Sequence, residues 1–168
     1  MGGDWHRKGM DVSINVIQEL RNKGFNCKID IVGEKEPSDY QKPDFVKTHG
    51  FLDRNKFMER KKLISLFKKN HFFILLSRAE ALGMVFNDAS SYCLPSIARN
   101  IGGVKSLISN KSGILIQKNT HTLEIAKKIS RILLNDIAYK KMSLLTYKQY
   151  KANSHWDQIA IQLKKSFY

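Results

Sequence analysis

Apolar residues gather in short blocks along the chain, and these blocks predict strands and helices in alternation. The clearest block is residues 72–76, where five apolar residues in a row precede a polar turn and a helix that begins near Gly83. An uninterrupted apolar run of this length is typical of a strand buried on both faces of a parallel sheet. Shorter blocks predict further strands at residues 27–32, 46–49, 95–98 and 113–116.

Between these strands, apolar residues recur at helical spacing. The first such segment starts near Met10 and is expected to end at Gly24, and Thr120 is expected to cap a later one. Other helices are predicted at residues 56–69, where Phe57 and Phe67 are expected to face inward, and at residues 83–92, 136–151 and 154–167. Strands and helices that alternate in this way predict an α/β fold with helices on both faces of a parallel sheet.

Length and composition fit an ordinary globular domain. The 168 residues contain no internal repeat and no second domain. Cys27 and Cys93 have no CxxC spacing, which indicates reduced core thiols of a cytoplasmic protein. No apolar run reaches the ~18–20 residues that span a bilayer, and no signal peptide is recognisable. The chain passes abruptly from Gly2-Gly3 into structured sequence, as a piece of a larger protein would.

A net charge of +14 changes the list of possible partners. This charge suits nucleic acid, anionic lipid headgroups or another polyanion. The lysines are spread along the chain, however, and most fall on the polar faces of predicted helices. A solvated lysine-rich surface therefore remains an alternative to a functional basic patch.

The candidate chemistry lies at the carboxyl ends of the strands, where open α/β sheets bind ligands. Glu80 follows the strand at 72–76, and the helix start at Gly83 is expected to attract a phosphate. Asp88 is a second acid beside that start, and carboxylates bind sugar or ribose hydroxyls rather than phosphates. The cations expected at the same rim are Arg7, Lys8, Arg78 and Arg99. Walker, GxGxxG, HExxH and DxD patterns are absent, which disfavours NTPases and dinucleotide oxidoreductases.

Six segments, taken in order, resemble one known family. They are WHRKGMD at residues 5–11, IVG at 31–33, HGF at 49–51, SRAEALGMVFNDAS at 77–90, LPSIA at 94–98 and NIGGV at 100–104. Each segment is weak alone, but together they resemble the C-terminal domain of glycosyltransferase family 4 (group 1), which has the GT-B fold. The resemblance covers nearly the whole chain. It implies a Rossmann-like three-layer α/β/α domain over residues 1–168, without the family's N-terminal acceptor domain.

The resemblance also implies roles for individual residues. Lys8 would neutralise the donor diphosphate, with Arg7 replacing a basic residue that the family carries upstream. Glu80 would hold sugar hydroxyls, and Lys8 and Glu80 are the two implied catalytic residues. Asp88 stands where the family has the Glu that binds the ribose diol. Because Asp is one methylene shorter, three outcomes are open: the ribose contact is kept by a small helix shift, bridged by water, or lost. The other implied nucleotide-sugar contacts are Phe51, Leu52, Gly83, Met84, Val85, Gly102 and Gly103.

Plainer readings of these residues stay open at this point. Glu80 could only cap the helix that starts near Gly83, because acids are favoured there. Asp88 and Lys8 could be solvated surface residues, and Gly102-Gly103 could be an ordinary turn.

The sequence thus predicts the donor-binding domain of a retaining enzyme that transfers a hexose from a UDP- or GDP-linked sugar. The acceptor would be a glycan or a lipid-linked molecule, as in polysaccharide or lipopolysaccharide biosynthesis. No cofactor and no metal are expected, and the domain alone should be inactive. The expected location is the cytoplasm, including the inner face of the membrane, where an anionic surface would suit the basic charge.

Two rival functions belong to other classes. The first is a basic α/β nucleic-acid-binding module, but the sequence has no RNP-like aromatic pair, KH GxxG loop or zinc knuckle, so no nucleic-acid partner is expected. The second is a non-catalytic glycosyltransferase-like scaffold, which the departure at Asp88 keeps open.

Overall fold

The computed structural model describes residues 5–33, 36–38 and 40–153. The helix predicted at residues 154–167 lies outside the described residues. The elements in chain order are α1 (Met10–Asn22), β1 (Ile29–Ile31), β2 (Val46–Thr48), α2 (Phe57–Lys69), β3 (Phe73–Leu75), α3 (Val85–Ser91), β4 (Ser96–Arg99), α4 (Val104–Leu107), β5 (Gly113–Ile116), α5 (Thr122–Leu133) and α6 (Asp136–Asn153).

The described strands form parallel ladders, as predicted. β1 pairs with β2, and β4 lies between β3 and β5 in a second sheet. β4 is buried along its whole length, whereas Phe73 and Ile74 of β3 are only partly buried. The most fully buried strand is therefore β4, and the five-residue apolar run contributes a strand of only three residues. The predicted burial of this run on both faces holds only for its last residues, Leu75 and Leu76, and the ladder ends at Leu75, before the turn that carries Glu80.

Helices cover both faces of the β3–β4–β5 sheet. Ile97 of β4 packs in one core cluster with Val16 of α1 and Ile125 of α5. The next residue, Ala98, packs in another cluster with Phe86 of α3. Because successive side chains of a strand point to opposite faces, these clusters lie on opposite sides of the sheet. The predicted three-layer α/β fold is confirmed.

The end of α1 shows how a local signal in the sequence becomes structure. Gly24 has a φ of 87°, its N–H donates to the carbonyl of Arg21 at 2.8 Å, and the N–H of Phe25 donates to that of Leu20 at 3.1 Å. These two hydrogen bonds form the Schellman motif, which favours glycine at the left-handed position. The prediction that Gly24 ends the first helix is confirmed.

Other local predictions are wrong in instructive ways. Phe57 is the first residue of α2 and is 66% exposed, because helical spacing does not reveal where the neighbouring core stops. α5 is capped by His121, whose Nδ1 accepts from the N–H of Leu123, and not by Thr120. Cys93 is a free thiol but exposed, since it lies in the turn after α3 and not in the core.

Candidate functional site

Lys8 and Glu80 meet at the rim where β3 ends. The Lys8 Nζ lies 2.7 Å from Oε2 of Glu80, and the two side chains are 23% and 13% exposed. The backbone N–H of Arg78 donates to the carbonyl of Arg7 at 2.7 Å, which holds the segment before α1 against the turn after β3. Ser77 is buried, and its hydroxyl donates to the same Glu80 oxygen at 3.4 Å. The sequence thus places an ammonium and a carboxylate together across 72 residues.

Gly9 allows this close approach of the two segments. Its φ is 66°, and a Cβ at this position would lie 2.1 Å from the carbonyl oxygen of Leu76. A side chain here would push the segment before α1 away from β3 and separate Lys8 from Glu80. The contact between Lys8 and Glu80 therefore requires a residue without a side chain at position 9.

The glycine pair of the loop after β4 packs against the same turn. A Cβ on Gly102 would lie 2.1 Å from the carbonyl oxygen of Glu80, and the N–H of Gly103 donates to the carbonyl of Ala81 at 2.7 Å. The loop after β4 therefore supports the backbone that carries Glu80. This supporting contact explains why two glycines stand here, independently of any ligand.

The start of α3 is close to Glu80, since a Cβ on Gly83 would lie 3.3 Å from Cγ of Glu80. Gly83 has a φ of 75°, Met84 is 56% exposed, and α3 begins at Val85. Among the described residues, no acceptor takes the backbone N–H of Gly83, Met84 or Val85. Unpaired N–H groups at the first turn of a helix carry partial positive charge and attract anions.

Asp88 is not a free acid, which the sequence did not reveal. Its Oδ2 accepts a hydrogen bond from Nη2 of Arg54 at 2.5 Å, and the two side chains are 33% and 57% exposed. The hydrogen bond with Asp88 raises the pKa of Arg54 above its ordinary value. Arg54 lies in the loop between β2 and α2, 34 residues before Asp88, so no local pattern could have identified the pair.

Phe51 and Leu52 occupy the same loop but point to different surroundings. Phe51 is 68% exposed, whereas Leu52 is buried at 8%. The loop begins beside the end of β1, where the N–H of Gly33 donates to the carbonyl of Gly50 at 2.8 Å. Only Phe51 of this pair presents an apolar surface to a ligand.

The three arginines predicted at the rim, Arg7, Arg78 and Arg99, have different surroundings. Arg7 Nη1 donates to the carbonyl of Ala79 at 3.3 Å. Arg78 binds both carboxylate oxygens of Asp11, at 2.8 and 2.6 Å, and this hydrogen bonding lowers the pKa of Asp11 although burial opposes the effect. Arg99 is buried, and burial together with the charge of Arg78 lowers its pKa. Arg7 and Arg78 therefore also hold the fold together.

His49, which directly follows β2, is a structural residue. Its Nε2 lies 2.6 Å from Oδ1 of Asp30, and the ring is 5% exposed. Burial alone would raise the pKa of Asp30, but hydrogen bonds with His49, Lys69 and Asn70 lower it. This cluster ties β1 to the ends of β2 and α2.

The described residues contain no group of three or more His, Cys, Asp and Glu side chains that could hold a metal ion. Within residues 5–33, 36–38 and 40–153, no helix has the length and apolarity needed to cross a membrane.

Comparison with known proteins places the chain in a family. Residues 3–149 match the family described as "Glycosyl transferases group 1". Alpha-D-kanosaminyltransferase of Streptomyces kanamyceticus is 26% identical over 163 residues, which cover 91% of this chain and 41% of that protein. The chain spans less than half the length of the curated relatives it matches.

Two solved structures show the same fold at low sequence identity. HepE of Anabaena in complex with UDP-glucose has a TM-score of 0.74 and 18% identity, covering 96% of this chain and 45% of that one. The C-terminal domain of LpcC, a glycosyl transferase group 1 family protein from Francisella tularensis, has a TM-score of 0.72 and 17% identity, covering 93% of this chain and 84% of that one. The described α/β fold matches that of GT-B glycosyltransferase C-terminal domains. This chain belongs to the glycosyl transferases group 1 family.

Proposed function

We propose that this chain is the C-terminal, donor-binding domain of a retaining family 4 glycosyltransferase. It would transfer a hexose from a UDP- or GDP-linked sugar to a glycan or lipid-linked acceptor, without a metal cofactor. The observation that carries the proposal is the meeting of Lys8 and Glu80 at 2.7 Å beside the unpaired N–H groups that open α3. The likeness to HepE, which was solved with UDP-glucose, supports a nucleotide-sugar donor. The likeness to the isolated C-terminal domain of LpcC supports the domain assignment.

The roles of Lys8 and Glu80 follow from their charges. When the bond between the sugar and the diphosphate breaks, negative charge grows on the leaving phosphate. Lys8 and the N–H groups of Gly83, Met84 and Val85 would stabilise that charge, since fixed donors at a developing charge lower the barrier. Glu80 would accept hydrogen bonds from sugar hydroxyls. Lys8 and Glu80 form an ion pair with each other at 2.7 Å. Donor binding would replace this ion pair by two contacts, one between Lys8 and the diphosphate and one between Glu80 and the sugar.

The glycine loop and Arg7 have supporting roles in this proposal. Gly102 and Gly103 would keep the turn that carries Glu80 in place, and Arg7 would add positive charge near the diphosphate. Phe51 would present its exposed ring to the base. Leu52, which is buried, would support the loop that carries Phe51.

Calorimetry with UDP, GDP and ADP, and with their sugars, tests the proposal. We expect one nucleoside diphosphate to bind, and a Lys8→Ala variant to bind it about tenfold or more weakly, since hydrogen bonds to charged groups contribute ~1.5–3 kcal/mol. Lys111→Ala is the matched control, because Lys111 is an exposed lysine with no ion pair among the described residues. No binding at millimolar nucleotide, together with salt-dependent binding to DNA, would replace the proposal with the nucleic-acid function.

A further inference from the structure

The first inference concerns Arg54 and rests on the proposed function. Arg54 and Asp88 form an ion pair that joins the loop before α2 to α3. The two side chains are 57% and 33% exposed, and ion pairs this exposed contribute little to folding stability. Stability alone therefore does not account for an arginine that reaches across 34 residues to this carboxylate.

The pair leaves half of the Asp88 carboxylate available. Arg54 binds Oδ2, while Oδ1 accepts no hydrogen bond from the described residues. A carboxylate with one oxygen fixed and the other open can accept a hydrogen bond from a ligand hydroxyl. The side chain is one methylene shorter than a glutamate, so its carboxylate extends less far from α3 and fewer of its orientations bring Oδ1 to a ligand.

The loop that carries Arg54 is itself held in place. The N–H of Asp53 donates to Oε2 of Glu59 at 2.6 Å, and the N–H of Asn55 donates to Oδ1 of Asp53 at 2.9 Å. Arg54 is therefore presented from a segment whose backbone is fixed on both sides by hydrogen bonds. Phe51, with its exposed ring, stands three residues earlier on the same loop.

We propose that Arg54 is a positioning residue for the nucleoside end of the donor. Through its hydrogen bond to Oδ2, Arg54 holds Asp88 so that Oδ1 accepts from the ribose diol. It thereby compensates for the short side chain at this position, and it links recognition of the ribose to the loop that presents Phe51.

The test compares a nucleoside diphosphate with its 2′-deoxy form. With the diphosphate that binds best, for example UDP against 2′-deoxy-UDP, the unaltered protein should prefer the ribose form. Arg54→Ala should weaken binding of the ribose form about fivefold to tenfold and of the deoxy form much less, because only the hydroxyl contact is lost. Asp88→Ala should have the same effect, and adding Arg54→Ala to it should cause no further loss.

Controls separate this role from charge and folding. Arg60→Ala removes another exposed arginine, from α2, and should leave the ribose preference unchanged. Arg54→Lys keeps the charge and should restore part of the preference, and thermal unfolding will show that each variant is folded. A ribose preference that survives Arg54→Ala overturns the inference and leaves the proposed function intact. No nucleotide binding by the unaltered protein overturns the proposed function itself.

A second inference rests on a different observation, the outward face of α6. Ile137 is 81% exposed, Leu144 52% and Tyr147 36%, and Leu134 just before the helix is 78% exposed. The same helix carries four exposed lysines: Lys140, Lys141, Lys148 and Lys151. The opposite side of the helix packs on the fold, where Thr146 is buried and its hydroxyl donates to the carbonyl of Ser112.

The charge of this face is strongly one-sided. Asp136 is the only acid in α6, and it is paired with Lys140 at 2.6 Å. On a mixed face of this kind, apolar side chains can enter the lipid of an anionic membrane while the long lysine side chains reach its headgroups. Nucleic acid would be attracted by the lysines alone and would give the apolar side chains no role. We infer that the outward face of α6 binds an anionic lipid surface.

Flotation with vesicles tests this inference. The protein should bind vesicles of phosphatidylcholine with phosphatidylglycerol and leave vesicles of phosphatidylcholine alone, and salt should weaken the binding. Replacing Ile137 and Leu144 by Ser should reduce binding at constant net charge. The control replaces Met58 by Ser, since Met58 is 71% exposed and belongs to α2. Lack of binding to the anionic vesicles, binding unaffected by the double substitution, or self-association through Ile137 and Leu144 instead would overturn the inference.

Discussion

At the scale of single residues, Glu80 pairs with Lys8 and is proposed to contact the sugar, so its removal should affect nucleotide-sugar and nucleotide binding differently. In the free protein it holds Lys8 at 2.7 Å, and in the proposed complex it would hold sugar hydroxyls. Glu80→Ala should therefore lower nucleotide-sugar affinity about tenfold or more, the order of a lost charge-assisted hydrogen bond. Binding of the bare diphosphate should stay unchanged or tighten, because Lys8 loses its competitor.

Titration calorimetry with the nucleotide and its sugar measures both affinities. Glu124→Ala is the matched control, since Glu124 is an exposed acid in the first turn of α5. Equal losses for the two ligands would mean that Glu80 supports the fold of the site and does not contact the sugar.

Gly102 makes a second prediction at this scale. Its φ of 50° is unfavourable for a residue with a side chain, and its Cβ would lie 2.1 Å from the backbone oxygen of Glu80. Gly102→Ala should lower the free energy of unfolding by more than about 2 kcal/mol, because the left-handed conformation alone accounts for ~1–2 kcal/mol. Gly50→Ala is the control: φ is 65°, but no atom lies within 4 Å of the added Cβ. Denaturant unfolding of the two variants should therefore give a clearly larger loss for Gly102→Ala.

At the scale of elements, the ends of helices show how far local sequence determines structure. α1 and α3 end in the same way, with a residue at positive φ whose N–H bonds back into the helix. At the end of α1 the residue is Gly24, which predicts this motif from the sequence. At the end of α3 the residue is Cys93, with a φ of 57°. A cysteine there gives no turn signal, which is why the sequence suggested a core thiol.

This difference predicts a stabilising substitution. Cys93→Gly should raise the free energy of unfolding by about 1 kcal/mol, since glycine adopts the left-handed conformation without a steric penalty. Cys93→Ala is the control, because it removes the thiol and keeps the strain. Chemical denaturation under reducing conditions would contradict the argument if the two variants were equally stable.

The contacts that build the site were the least predictable part of the chain. The strands and the rim they end on follow from apolar blocks and alternation, which are local patterns. The four-residue α4 is too short for a helical repeat of apolar residues, so no pattern predicted it. The Arg54–Asp88 and Arg78–Asp11 pairs join residues 34 and 67 positions apart, so they depend on the three-dimensional path of the chain. The segments that resemble the family contain Asp11, Arg78 and Asp88 but not Arg54, and the resemblance predicted neither pairing.

Asp30 connects three elements and makes the folding stability of the protein depend on pH. Its pKa is lowered by His49, Lys69 and Asn70 despite burial, so the folded protein favours the carboxylate. A lowered pKa contributes stability above the unfolded value of about 3.9, and the contribution disappears as the pH falls through the folded pKa. Asp30→Asn should therefore destabilise the protein at pH 7 and have a smaller effect near pH 3, which lies below the unfolded pKa.

Urea unfolding at the two pH values measures this difference. Asp136→Asn is the control, since Asp136 is 71% exposed in a surface pair and should show little effect at either pH. A destabilisation by Asp30→Asn that is the same at both pH values would assign the effect to packing and not to the charge.

At the scale of the whole molecule, the described residues supply one rim of the proposed donor site. The residues proposed to bind the donor, including Lys8, Glu80 and the start of α3, all come from one rim of one α/β domain. The chain also spans less than half the length of the curated relatives it matches. Catalysis requires the acceptor hydroxyl to be held close to the reacting carbon of the sugar, and positioning of this kind accounts for several kcal/mol of a typical barrier.

The last prediction follows from this one-sided arrangement. Residues 1–168 should bind a nucleotide sugar but transfer no sugar to any acceptor, because the contacts proposed in the described part of the chain come from one rim and all of them are with the donor. The measurement is nucleotide release with a donor that calorimetry has shown to bind, with and without oligosaccharide or lipid acceptors. Slow release that does not depend on acceptor would be hydrolysis, and a Lys8→Ala variant should abolish it, since water would then replace the acceptor at the same activated bond. Release that rises with acceptor concentration would show that this one domain holds both substrates, and the assignment as a donor-binding half would then be wrong.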